Sequence, residues 1–210
     1  MKKLELSDIQ HVKPDARSRK LVVVAHCLFN QSAKVEGLAS YRGVFQPLVD
    51  VLCRMGVGLI QLPCPEMLHL GPNRPLGADT LEQYDHPAYR ACCRDAARRV
   101  TAELLSWHRA GYSIVCLLGV EGSPSCSVCR VPRLVRGKRV LRRGRGIFME
   151  ALRDAMRDAG LDIRFIGVPE NAEAGNLPEC LRQIKRAALP TKPVRANRHL
   201  RGNSNKPCIG

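Results

Sequence analysis

Apolar residues fall along this chain in two alternating rhythms. Short β-branched runs at 20–26 (KLVVVAH), 57–62 (VGLIQL), 112–120 (YSIVCLLGV) and 162–168 (DIRFIGV) predict buried parallel strands. Between them the spacing turns helical. Val44, Phe45, Leu48, Val51, Leu52 and Met55 form one stripe over 43–55, with Pro47 in the first turn and Gly56 at the stop. A long helix is predicted over 86–109, with Ala88, Cys92, Ala96, Val100, Leu104 and Trp107 along one face. Another is predicted over 146–161, and a short one within 171–188. The segments at 63–86 and 121–144 read as loops, rich in proline in one case and in glycine, serine and arginine in the other.

Strands alternating with helices define an α/β fold: a Rossmann-like or flavodoxin-like open parallel sheet of about four to five strands with flanking helices. The expected organisation is an N-terminal extension at 1–19, a single domain at 20–188 and a basic tail at 189–210. No GxGxxG follows the first strand and no GxxxxGKS or GxxxxGKT occurs, so dinucleotide and P-loop sites have no support.

Composition narrows the class. The chain has 210 residues, of which 45% are hydrophobic and 25% charged, and no apolar run reaches the length of a membrane span. The N-terminus lacks an apolar signal region, so a cytoplasmic protein is expected, with its ten cysteines reduced. The net charge of +15 concentrates in the C-terminal tail and in a run at 130–145, comprising Arg130, Arg133, Arg136, Lys138, Arg139, Arg142, Arg143 and Arg145. A solubilising surface accounts for the tail. The run leaves open a contact with RNA or a nucleotide phosphate. At 4% aromatics, base stacking has little support.

Position separates the cysteines. In an open parallel sheet, ligands bind beyond the carboxyl ends of the strands. Cys27 follows the first strand, Cys64 the second, and Cys126 lies in the loop after the third. Cys53, Cys92 and Cys116 are expected in the core, and Cys93 reads as an ordinary helix residue. Three thiols without a histidine pair suit a soft metal centre, a 4Fe–4S cluster being favoured over zinc. Three ligands would leave one iron open. Cys129, three residues after Cys126, stands as a fourth ligand, a persulfide carrier or a neighbour.

Three local motifs add to this: Ala25-His26-Cys27-Leu28-Phe29-Asn30-Gln31, Pro63-Cys64-Pro65-Glu66 and Gly122-Ser123-Pro124-Ser125-Cys126. Their order resembles that of the thiouracil desulfurase (desulfidase) family, over about 20–170. The resemblance implies a 4Fe–4S cluster on Cys27, Cys64 and Cys126, and removal of sulfur as hydrosulfide from a thiocarbonyl small molecule. It maps the working carboxylate onto Glu66 and the hydroxyl onto Ser123. Glu66 is close enough to a ligand to activate water, and is otherwise a loop or helix-cap residue. Ser123 is otherwise a turn former before Pro124.

Departures from the family pattern fall around the expected substrate pocket. Asn30 replaces a glycine and is expected to keep a left-handed turn, Lys34-Val35-Glu36-Gly37 replaces an Arg-Tyr-Asp-Gly segment, and Ser127 replaces a glycine. His26 and Asn30 are candidates to order the first ligand's loop, and Arg74 to bind an anionic group. Two readings compete with the desulfidase: a nucleic-acid-binding module with a structural zinc, and a cluster-dependent tRNA sulfur-transfer protein.

Overall fold

The computed structural model describes residues 15–189. The expected extension up to residue 14, the tail from residue 190 and Cys208 lie outside them. Strand β1 (Lys20–Val24) is followed by a one-turn helix α1 (His26–Phe29) and a 3-10 turn at Gln31–Ala33. Then come α2 (Gln46–Arg54), β2 (Gly58–Gln61), α3 (Pro65–Leu70), α4 (Leu81–Tyr84) and α5 (Pro87–Arg109). The second half holds β3 (Ser113–Val120), β4 (Arg130–Val135), β5 (Lys138–Arg143), α6 (Ile147–Asp158), β6 (Phe165–Val168) and α7 (Leu177–Ala187).

The main sheet has four strands in the order β2-β1-β3-β6, all parallel. This is the open α/β sheet that the alternating pattern predicts. Val22, Val23 and Val24 are fully buried because β1 lies inside the sheet with helices over both faces. Leu59 on edge strand β2 is half-exposed by comparison. Helix α5 packs on α6, and α2 on α7. The chain leaves β1 for β2 on one side and reaches β3 on the other, so the order reverses at β1. The crevice of such a sheet opens at that reversal.

Several sequence expectations are corrected. The segment at 63–86 contains α3 and α4, and 121–144 contains the antiparallel hairpin β4–β5. Both were obscured by density of proline, glycine and charge. The buried face of α5 carries Tyr89, Cys93, Ala96, Ala97, Val100, Thr101 and Leu104. It is rotated from the expected stripe, so Cys93 is the core cysteine, Cys92 is half-buried and Trp107 is exposed. Cys53 is likewise exposed, at the solvent side of α2, while Cys116 is buried as expected. Asn30 has φ −150°, extended backbone instead of a left-handed turn. It caps the 3-10 turn by accepting the Ser32 amide on Oδ1 at 3.1 Å.

Candidate functional site

A cavity of about 160 Å³ opens at the carboxyl ends of β1, β2 and β3. Cys27, Cys64 and Cys126 all line it, each delivered by a different strand. Cys27 is the second residue of α1, which starts directly after β1. Cys64 is the cap of α3, where Pro65 at the first helical position forces the chain to turn just after the thiol. Cys126 sits in a tight loop that two glycines allow to lie close. A Cβ on Gly119 would come 2.4 Å from the Cys126 carbonyl oxygen, and one on Gly146 would come 2.3 Å from the Ser125 carbonyl carbon.

Burial governs the thiols' electrostatics. It pushes Cys27 up to about 12, with the Glu170 carboxylate adding to the shift. It raises Cys64, with Glu66 adding, and holds Cys126 well above the ordinary thiol value, with Cys27 and Cys64 both contributing. The mutual effect places the three sulfurs in one electrostatic neighbourhood. In the absence of a cation they are neutral thiols, and only a bound metal centre would stabilise three thiolates together. Among the described residues, no three His, Cys, Asp or Glu side chains converge as a single metal ion requires. A tetrahedral zinc draws its sulfurs to about 2.3 Å from one point. By their chemistry, three soft sulfur donors lining one cavity suit a soft metal centre.

Glu66 lies in the first turn of α3 and is buried, which corrects its reading as a loop residue. Arg74 Nε donates to Glu66 Oε2 at 3.2 Å and its Nη2 donates to the Ala33 carbonyl at 2.6 Å. Ser125 Oγ donates to Glu66 Oε1 at 2.6 Å, and Tyr89 Oη lies 2.6 Å from the same Ser125 oxygen. Ser123 Oγ accepts the amides of Ser125 at 3.2 Å and Cys126 at 3.0 Å. It thus shapes the ligand loop as a turn former does, while also lining the cavity. Ser127, which stands where the family pattern has a glycine, is fully buried and donates to the Ser123 carbonyl at 2.6 Å.

Of the candidate residues, the structure brings Cys27, Cys64, Cys126, Glu66, Ser123 and Arg74 to one cavity. His26, Asn30 and Cys129 are not part of its lining. His26 Nδ1 donates to the Leu62 carbonyl at 3.2 Å, tying the start of α1 to the end of β2. The Cys129 amide donates to Glu121 Oε1 at 3.0 Å, and the Arg130 amide to Glu121 Oε2 at 2.7 Å. Glu121 is raised by burial against the pull of those amides, and Gly167 leaves the space its carboxylate occupies.

Two ion pairs in the lining escaped the sequence reading. Lys34 pairs with Glu170, and Gln31 donates to the same carboxylate and to the Cys27 carbonyl. Arg139, from the hairpin, pairs with Asp79 at 3.1 Å and donates to the Gly122 carbonyl at 2.8 Å. Burial pushes Asp79 up to about 6 against the lowering effect of Arg139. Lys34 belonged to the segment expected to shape the pocket. Asp79 and Glu170 carried no signal, because only the folded sheet edge brings them near the cysteines.

The fold and site define a parallel α/β protein with a three-thiol cavity at its strand ends. No family model matches the chain. It is similar to an uncharacterized protein of Methanocaldococcus jannaschii, 29% identical over 160 residues, which cover 76% of this chain and 92% of that protein. Among solved structures it is similar to a 4Fe–4S-dependent thiouracil desulfidase. The TM-score is 0.48 and the identity 22%, covering 80% of this chain and 99% of the other.

Proposed function

We propose that this chain is an iron–sulfur-dependent desulfidase, releasing sulfur as hydrosulfide from a thiocarbonyl small molecule such as a thiolated nucleobase or nucleoside. The observation that carries the reading is the meeting of Cys27, Cys64, Cys126 and Glu66 in one cavity, on motifs that resemble those of the desulfidases. Cys27, Cys64 and Cys126 would hold a 4Fe–4S cluster. When bound, it supplies an iron without a protein thiolate, a soft Lewis acid for the thiocarbonyl sulfur.

The chain's own residues do the rest. Glu66 accepts a proton from water as the water adds to the thiocarbonyl carbon. Carbon–sulfur cleavage then leaves a carbonyl product and hydrosulfide, with no net change in electron count. Ser123 Oγ already accepts two amides, so its hydroxyl hydrogen is available to a substrate in the cavity. Arg74 fixes Glu66 and contributes to the same wall. Lys34, Glu170, Asp79 and Arg139 also line the cavity. His26 and Asn30 order the Cys27 loop, and Cys129 remains outside the ligand set.

This reading includes a reducing, cytoplasmic setting. Cys27, Cys64 and Cys126 are thiols outside any disulfide, and no described helix is long and apolar enough to cross a membrane. The test is anaerobic reconstitution with iron and acid-labile sulfide counts, followed by hydrosulfide release from 2-thiouracil and 4-thiouridine. Bound zinc without iron or sulfide would instead favour the nucleic-acid-binding module.

A phosphate-bearing substrate or RNA is a second reading, favoured by one observation. Arg136, Lys138, Arg142, Arg143 and Arg145 are exposed on and beside the hairpin that lines the cavity, while the hairpin's described ion pairs involve Arg133 and Arg139. RNA binding with a steep salt dependence, lost in R142A/R143A/R145A, would support it.

A further inference from the structure

Glu66 is held from behind as well as from the cavity side. Its Oε2 takes the Arg74 Nε hydrogen, with the Tyr84 hydroxyl at 3.5 Å, and its Oε1 takes the Ser125 hydroxyl. An ionised carboxylate only accepts, so the single Ser125 hydrogen points at Glu66. The hydrogen between Ser125 and Tyr89 must then come from Tyr89. The result is a one-way chain, Tyr89 to Ser125 to Glu66, with both oxygen–oxygen distances at 2.6 Å.

Tyr89 is fully buried and Ser125 is 1% exposed, and neither lines the cavity. Burial also holds the Tyr89 hydroxyl far above its ordinary value, so it stays protonated and remains a donor. The chain crosses three elements: Tyr89 on α5, Ser125 on the loop that carries Cys126, and Glu66 on the helix that Cys64 caps. A glutamate's terminal torsion is broad and nearly two-fold, so a carboxylate without such anchors swings.

We infer that Tyr89 and Ser125 are positioning residues for Glu66, fixing the carboxylate plane so that its unused lone pairs face the cavity. The inference rests on the reading of Glu66 as the working carboxylate. Neither residue touches the substrate. Both act on turnover alone, and Tyr89 acts only through Ser125.

The experiment is a double-mutant cycle in cluster-loaded protein supplied with 2-thiouracil and 4-thiouridine. Y89F keeps the buried ring and removes one oxygen, so a packing role alone would leave kcat unchanged. Losing a hydrogen bond to a charged group should lower kcat in S125A about 10- to 100-fold, with KM nearly constant, and Y89F should cost roughly 5- to 10-fold. Y89F/S125A should be no slower than S125A, and S125T should recover most of the rate. A second measurement needs no turnover: the carboxylate infrared band found as wild type minus E66Q should move in both Y89F and S125A.

Wild-type rates in Y89F and S125A, additive losses, a rise in KM alone, or an unmoved carboxylate band would overturn the inference. Undiminished turnover in E66Q would instead overturn the role given to Glu66, and the infrared band would still report on the chain.

Discussion

Arg74 and Glu66 face each other 3.2 Å apart across the turn that closes α3, both nearly inaccessible to solvent. Arg74 also reaches the Ala33 carbonyl, so one guanidinium links the Cys64 helix to the turn that follows Cys27. Its Nη1 is buried without a hydrogen-bond partner among the described groups, so the brace includes one unsatisfied donor.

Breaking this pair should be costly. R74M leaves the Glu66 charge buried without its cation, and an unfolding free-energy loss of about 3–5 kcal/mol is expected. R74M/E66Q should recover part of that loss, since it removes the stranded charge. Urea titration of the three proteins measures both effects. Equal stability of R74M and wild type would contradict the brace.

The ligand assignment separates the cysteines sharply. C27S, C64S and C126S should each lose bound iron and acid-labile sulfide after anaerobic reconstitution. C53S and C129S should keep the wild-type content. Full iron and sulfide in any of the first three, or their loss in C129S, would redraw the ligand set.

Gly146 is predicted to be irreplaceable for steric reasons, and Gly43 is its contrast. In G146A the new methyl would come within 2.7 Å of the Cys126 amide nitrogen, forcing the ligand loop outward. A loss of about 1–3 kcal/mol is expected, with reduced iron uptake. Gly43 has nothing within 4 Å of a built Cβ, so G43A should stay within about 0.5 kcal/mol of wild type. Thermal unfolding with iron analysis compares them.

Asp79 gives the pH dependence a definite sign. Its folded value is raised to about 6, above the ordinary carboxylate value, so folding takes up a proton in that interval. Its contribution to stability therefore falls as pH rises from about 4 to about 6 and is level above. D79N should flatten this segment of the stability curve, measured by urea unfolding across that range. An unchanged slope would remove Asp79 from the account.

The strands and the three pocket cysteines were legible because both depend on local sequence. A β-branched run such as Leu21-Val22-Val23-Val24 encodes a buried strand, and a cysteine just past its end is placed by the strand. The hairpin was not legible. Its strands carry arginines in both phases of the alternation, and Arg130 lies opposite Arg143, so no apolar period marks them. The face of α5 was misjudged for a related reason. Small residues occupy so many positions that Cys92 and Cys93 fit neighbouring stripes equally well, and only packing under Tyr89 decides between them. Ser125 stood inside a recognised motif, yet its link to Glu66 spans 59 residues and is a property of the folded chain alone.

The three pocket cysteines come from strands spread over roughly a hundred residues of chain. In an unfolded chain they are far apart, so whatever they bind jointly has affinity for the native state alone. Its loading and the folding of the sheet are thus one linked equilibrium, and each draws on the other's free energy. A centre held this way would act as a cross-link between β1, β2 and β3, closing two long loops at once. Its loss, through oxidation or chelation, would loosen edge strand β2 first. That strand pairs with one neighbour, and its Cys64 end would lose the tie to the rest of the sheet.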